Sequence, residues 1–546
     1  MSRFSAPVAR PAWFGWLVGA FFGLLALLGV ALHRDYGVGW DEQLDRLNGI
    51  INAKYVALRL APALARRQAT FAQIPAMSEN QDADHGVLYQ LPLVVLEKVV
   101  GVEDSRDVYF FRHLVIWLTC VAGTYALYRL AARYLGSGGW GLAVAAALVL
   151  SPRMFAESFY NYKDLVFLGF FTLAVGTLLR WLRRPTWARA AGHALAVGAA
   201  IDVRTMGVLL VGLTLGFAAL EGWSRPAIRR ELAGQLLLFF PLLAGVVVAG
   251  WPYLWEQPGP HFLAAFRSFS HYRADMLTLY LGREIAVQAL PWHYVPVWLL
   301  ITTPLPYVAL GLAGTAVVAR AGLLGPAAWL RTPAGRADLL VLAWLFGPLL
   351  AIVLLRSVVY DGWRHLYFVY PALLLLAGRG AQALWRGWQR PAAPFLRRSG
   401  YAVALLLVAG LGHTAWRMVA DHPYQNVYFS FLPGPTAERL FERDYWGLSG
   451  REGLEWIMAH DASPAVTVAT EPRTALMLHN AQLLLPPAER ARLRMVPPSK
   501  ARYFLTTYRW HPAPYPDSVG REVYVRRVNG LKLLSVFARP PLSGRR

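Results

Sequence analysis

Apolar runs of about twenty residues alternate with short arginine-rich or aromatic connectors from roughly position 13 to position 420. A run of that length crosses the hydrocarbon core of a bilayer as a helix. Reading windows of about 19 residues predicts about eleven spans. Their centres fall near residues 23, 118, 146, 173, 195, 213, 242, 305, 346, 372 and 409. The third opens on Gly138-Gly139 and closes on Ser151-Pro152, which makes it short. The fifth, Ala188 to Ala200, is rich in Ala and Gly, which suits close helix packing.

The connectors predict an orientation. One set carries Arg129 and Arg133, then Arg180, Arg183, Arg184 and Arg189, then Arg225, Arg229 and Arg230. It continues with Arg320, Arg331 and Arg336, and with Arg379, Arg386, Arg390, Arg397 and Arg398. These alternate with short polar turns or long mixed loops, so the arginine set is expected on the cytoplasmic side. The N-terminus, with Arg3 and Arg10, falls on that side too, and an odd span count puts the C-terminus outside. Residues 34–107 then form the first external loop. Within it, Leu47, Ile50, Ile51, Tyr55, Leu58 and Ala61 recur at helical spacing, with Lys54 and Arg59 off the stripe. This amphipathic stretch, Leu44 to Leu64, is expected in the outer interface, with Tyr89 to Val100 as a second interfacial helix.

From about His422 the apolar runs shorten and Pro, Glu and Arg mix in. Arg451 to Ala459 reads as a helix, and Ala465 to Thr470, Tyr503 to Thr507 and Glu522 to Phe537 as strands. Asn529-Gly530, between two alternating runs, predicts a hairpin turn. The expected fold class is a polytopic α-helical membrane protein (residues 1–420) with a small extracytoplasmic α/β domain (residues 421–546).

Composition agrees. The 546 residues are 56% hydrophobic and only 16% charged, against about 25% charged in soluble domains. The formal net charge of +22 does not point to nucleic acid, because the arginines sit between apolar spans, where anionic headgroups meet them. The single cysteine, Cys120, lies in an apolar run, so no internal disulfide and no cysteine metal site is expected. Trp13 to Leu32 is followed by His33-Arg34-Asp35-Tyr36 rather than small cleavage-site residues, so a retained first helix is expected.

Ionisable groups at membrane edges are functional candidates by default, and four clusters stand out. Asp35 to Glu42 holds a carboxylate pair, Asp41 and Glu42, able to serve as a general base or metal ligand; the plain alternative is a helix N-cap. Ser151 to Asp164 brings Tyr160, Asn161, Lys163 and Asp164, whose aromatic faces and hydrogen-bonding groups suit sugar rings; an aromatic belt is the alternative. Asp202-Val203-Arg204-Thr205-Met206-Gly207 puts an acid and an Arg at membrane depth, as a site or as a structural ion pair. Tyr360 to Tyr367 contains Arg364 and His365; Arg offers a planar fork for phosphate. All four fall on the external face. His85 precedes the second interfacial stretch. Asp82-Ala83-Asp84 superficially matches the DxD of nucleotide-sugar transferases, but it lies away from nucleotide sugars.

In order and spacing these strings resemble the GT-C superfamily of membrane glycosyltransferases, nearest to protein O-mannosyltransferases and lipid A aminoarabinose transferases. Gly39-Trp40-Asp41-Glu42 is similar to the acidic motif of the first external loop, and Ser151 to Asp164 to the second. Asp202 to Gly207 resembles the Arg-x-x-Gly turn, and Tyr360 to His365 with Tyr370-Pro371 the late Arg-His motif. The match covers roughly residues 10 to 420, with a looser echo in Asp444 to Ser449. One departure is that Gly86-Val87, not a Pro pair, follows His85.

The resemblance implies an external active site, a polyprenyl-phosphate sugar donor and inversion at the anomeric carbon, with Asp41 as base. Glu42 or Asp164 would orient the base or the acceptor. Lys163, Arg204, Arg364, His365, Tyr160, Asn161 and His85 would hold donor phosphate and sugar. Expected partners are that donor, membrane lipids, and a glycan, lipid or protein acceptor. No organic cofactor is expected; Asp41, Glu42 and Asp164 could hold one divalent ion, and no His-rich site suggests zinc. The bacterial cytoplasmic membrane is the expected location. A flippase for a lipid-linked sugar and a non-catalytic envelope assembly protein are the alternatives.

Overall fold

The computed structural model describes residues 12–270, 276–389, 394–509 and 511–539. The sequence readings at Arg3, Arg10 and Arg390 lie outside them. The chain is mostly helical. Among the described residues, eight helices are long and apolar enough to cross a membrane, from Trp13–Leu32 to Gly400–Ala420, or nine if a bent pair counts as one span.

Three of the expected segments are not simple spans. Gly138–Val149 and Pro152–Tyr160 form the pair, bent by 71° where Pro152 interrupts the ladder. Trp187–Val203 has 17 residues, and Tyr370–Trp388 carries Arg379 and Arg386. Both nonetheless run between the same two ends of the bundle. Arg204, closing the first, meets Asp164, while Arg189 near its start donates to the Arg184 carbonyl at 2.9 Å. Tyr370–Trp388 follows Arg364 at one end; at the other, Gln382 donates to the Leu135 carbonyl at 2.9 Å. Close packing relies on glycine. A Cβ on Gly123 of the Ser105–Tyr134 helix would lie 2.9 Å from the Gly169 Cα of Phe167–Arg183. Outward side chains such as Leu27, Leu237, Leu323 and Leu405 are exposed, as a lipid-facing surface requires.

Helix Glu42–Leu60 is inverted relative to a soluble amphipathic helix. It buries Glu42, Asp45, Asn48 and Asn52, while Leu44, Leu47 and Leu58 face outward. Only Ile51 of the apolar stripe is well buried. The polar face therefore lines the protein, and the apolar one suits a bilayer interface. Gln90–Val100 packs beside it: the Gly49 position leaves room for the Gln90 backbone, and Arg46 reaches Glu97 at 2.8 Å.

A small hairpin that the pattern did not predict joins β1 (Leu277–Tyr280) and β2 (Arg283–Ala286). The C-terminal region forms a five-stranded sheet from β3 (Val466–Ala469), β4 (Leu493–Met495), β5 (Tyr503–Thr507), β6 (Arg521–Val528) and β7 (Leu531–Ala538). Its order is β4-β3-β5-β7-β6. β3 pairs in parallel with β4 and β5, and β7 runs antiparallel to β5 and β6. Asn529 and Gly530 both take positive φ, 48° and 81°, as the tight β6–β7 turn demands. Helix Gly450–His460 covers the sheet through Leu454 and Ile457, in one core with Val468, Leu505 and Leu534. This sheet region docks on the end of the bundle that holds Asp41. Asn480 donates to the Gly39 carbonyl at 2.8 Å, and Ser105 donates to the Leu483 carbonyl at 2.8 Å.

Candidate functional site

The turn after Trp13–Leu32 aims two neighbouring carboxylates in opposite directions. Tyr36 is buried and stacks on Phe159, with ring centroids 4.5 Å apart. The Gly39 N–H donates to Glu42 Oε1 at 2.6 Å, and His113 Nε2 lies 3.1 Å from Glu42 Oε2. Glu42 is thus consumed in fixing the turn. Asp41 makes no side-chain cap to the following helix; it instead accepts from Arg364 Nη1 at 2.9 Å.

Asn161 interrupts the helix before Lys163 and Asp164 and organises them. Its amide donates to Glu157 at 2.8 Å and to Asp164 Oδ2 at 2.9 Å, and its oxygen accepts the Asp164 N–H at 3.0 Å. Asp164 pairs with Arg204 and lies 3.6 Å from Arg364. Lys163 meets Asp45 at 2.5 Å. Arg364 also touches Asp361 at 3.1 Å, and Asp361 in turn pairs with Arg509, from the loop after β5. The Arg364 guanidinium carbon lies over Trp446, 4.8 Å from the ring centroid.

This charged cluster has two layers. Asp164 and Arg364 are buried, with side chains 1% and 6% exposed. Asp41 at 24%, Lys163 at 16% and Arg204 at 13% form the accessible rim. Burial works upward on the Asp41 carboxyl, but Arg364 first and Lys163 next outweigh it, leaving it below its ordinary value. Asp41 is therefore ionised at neutral pH. Burial pushes Asp45 up to about 7 against the pull of Lys163. Burial, then the positive charge of Arg204, lowers His365 well below its ordinary value. Arg204 itself drops to about 10, through burial first and Arg364 second, and stays charged at pH 7.

Several sequence expectations change accordingly. Glu42 faces Gly39 and His113, so Asp41, Glu42 and Asp164 do not converge on one ion. The acid–histidine group compact enough for a cation, among the described residues, is Asp82, Asp84 and His85, with ligand atoms within 4.8 Å. His85 is tied to Asp84 at 2.9 Å. His365 is a neutral imidazole, so it offers phosphate no charge. Asn161 positions Asp164 from a buried seat, and Tyr160 is buried edge-on to Trp446. Asp202 does not pair with Arg204. Its carboxyl oxygens are buried and find no hydrogen-bond partner among the described residues, and its backbone carbonyl lies against Gly86.

The pattern also missed residues. Asp45 stands one helical turn after Asp41, a spacing that was there to be used. Asp361 lay inside a noted string, but its partner Arg509 is distant in sequence and carries no local signal.

No protein-family model and no curated protein matches this chain.

Two outcomes follow from the geometry. Asp202→Asn removes a buried carboxyl that no donor satisfies, so it is expected to leave thermal stability unchanged or raised. Asp164→Asn breaks contacts to Arg204 and Arg364 and is expected to lower it, by about 3–5 kcal/mol; melting of the purified variants compares the two. Arg509→Ala removes one of the two arginines that Asp361 meets among the described residues and loosens the sheet region, which limited proteolysis should report as faster cleavage between residues 421 and 450.

Proposed function

We propose that this protein is an inverting membrane glycosyltransferase that moves a sugar from a polyprenyl-phosphate donor to an acceptor hydroxyl. One observation supports this reading most: Asp41, Lys163, Asp164, Arg204 and Arg364 come from four distant stretches and meet in one partly accessible cluster. The cluster lies at the end of the bundle opposite the arginine-rich connectors, which suits a GT-C-like arrangement of eleven crossings. The positive-inside rule then puts it at the outer face of a bacterial cytoplasmic membrane, with the C-terminal sheet domain outside and the N-terminus inside.

In this reaction the acceptor hydroxyl loses its proton to Asp41 while its oxygen attacks the anomeric carbon. The bond from that carbon to the phosphate oxygen breaks on the opposite side, and lipid phosphate departs with the electron pair. Arg204, Lys163 and Arg364 stabilise the charge that develops there, from positions fixed before the donor arrives. Phosphate competes with Asp41 for Arg364. Donor binding thus weakens the ion pair that depresses the Asp41 carboxyl, and its basicity rises when the acceptor needs it. Asp164, held by Asn161, keeps Arg204 and Arg364 aimed at the phosphate.

A pH dependence follows. Asp45 holds Lys163 in place when ionised. Below about 7 it takes up a proton, so transfer is expected to fall from pH 8 to pH 6. Asp45→Asn should abolish that limb of the profile; an unchanged limb would place the titration elsewhere.

Mass spectrometry of envelope lipids and glycans from cells with and without this protein tests the function. Loss of one sugar substituent in its absence is the expected result; identical envelopes would overturn it.

A further inference from the structure

A lateral groove runs between helices Ser105–Tyr134 and Phe167–Arg183, from Val166 at the end nearer the charged cluster to Arg180 at the other. It has a volume of about 320 Å³, within the usual range of small-ligand sites. Along the first helix it extends from Thr119 to Arg133, about 21 Å at 1.5 Å per residue. Gly123 and Gly169 bring the two helices into contact at its floor, Gly176 leaves open space beside the second helix, and exposed Ala122 and Leu173 stand at its edge.

One end of the groove is strongly basic. Arg129, Arg133 and Arg180 line it, and Arg133 sits in the combined field of Arg129, Arg180 and Arg183. Arg129 donates to the Tyr125 hydroxyl at 2.9 Å. Among the described residues, none of Arg129, Arg133 and Arg180 forms an ion pair with a carboxylate. Other arginines at this end of the bundle are neutralised in place. Glu221 meets Arg225 at 2.5 Å and Arg336 at 2.6 Å, and Asp338 meets Arg379 at 2.7 Å.

We propose that this groove is a binding site for an anionic phospholipid of the leaflet opposite the active site. One acyl chain lies along the channel between the two helices, and the phosphate sits among Arg129, Arg133 and Arg180. Two complementary features argue for that occupant. The apolar length faces outward, where a chain enters sideways from the bilayer, and the uncompensated positive charge stands where a headgroup lies. The site is independent of the glycosyl-transfer reading, because the donor phosphate would bind at the far end of Phe167–Arg183, beside Lys163 and Arg204.

Purified, delipidated protein offered equal phosphatidylglycerol and phosphatidylcholine provides the test, with bound lipid counted by mass spectrometry. Wild type should retain phosphatidylglycerol preferentially. Arg129→Gln with Arg133→Gln and Arg180→Gln should lower that preference by about tenfold or more. Gly176→Leu keeps every charge but fills the channel; a Cβ there meets nothing within 4 Å, so the side chain starts in open space. It should also lose the lipid, and it carries the test alone if the triple variant does not fold. Arg229→Gln with Arg230→Gln removes charge elsewhere on the same side and should retain it. Equal uptake of both lipids by wild type would overturn the proposal. So would phosphatidylglycerol retained by Gly176→Leu, which would mean surface attraction without a seat in the groove.

Discussion

Replacing Asp41 with Asn is expected to cut sugar transfer at least about 100-fold, because a general base typically contributes 10²–10⁴-fold. The amide is nearly isosteric and still accepts from Arg364 through its oxygen, so expression and the melting profile should change little. Asp41 is the most exposed carboxylate of the cluster and gives nothing to the adjacent helix as a cap. Its loss therefore removes chemistry more than structure. Glu42→Gln provides the contrast. Glu42 accepts the Gly39 N–H and faces His113, so that change should act on stability and on KM through the shape of the turn. Turnover measured for both variants separates the two roles; near-normal turnover in Asp41→Asn would remove Asp41 from the mechanism.

Replacing Arg364 with Ala is expected to do more damage, and of two kinds. Its guanidinium touches Asp41 and Asp361 and lies within 3.6 Å of Asp164. Removing one member of such a buried network leaves uncompensated carboxylates, at a cost of about 3–5 kcal/mol. The change also strips the buried layer of its central cation, so transfer should become undetectable even in the fraction that folds. Arg364→Lys tests the geometry separately. It keeps the charge but loses the planar fork that bridges Asp41 and Asp361, so partial recovery of stability with little recovery of turnover is expected. Thermal unfolding read beside activity distinguishes the two effects.

How much of this was legible in the sequence depends on the range of the interaction. The membrane class follows from run length and charge deficit, which are local properties. The β6–β7 hairpin follows from Asn529-Gly530, because its positive φ angles demand those residue types. The amphipathic stripe of Glu42–Leu60 was visible, and its outward leucines suit the interfacial seat expected for it. Periodicity reports that two faces differ, but not which residues the polar face meets, such as Lys163 at Asp45. Asp202 and Arg204 look like a pair because they are neighbours in sequence. The helix end turns them apart, and Arg204 finds Asp164 instead. Arg509 illustrates the limit: its contact with Asp361 joins segments far apart in the chain, and nothing near either residue announces it.

Catalysis by the Asp41–Arg364 cluster is tested most directly by incubating purified protein with a radiolabelled polyprenyl-phosphate sugar and an envelope extract as acceptor, and by following release of the lipid phosphate. Wild type should consume the donor and pass label to the extract, and Asp41→Asn should leave it intact. Donor moved between leaflets of a vesicle but never cleaved, or donor left untouched by well-folded wild-type protein, would contradict that assignment.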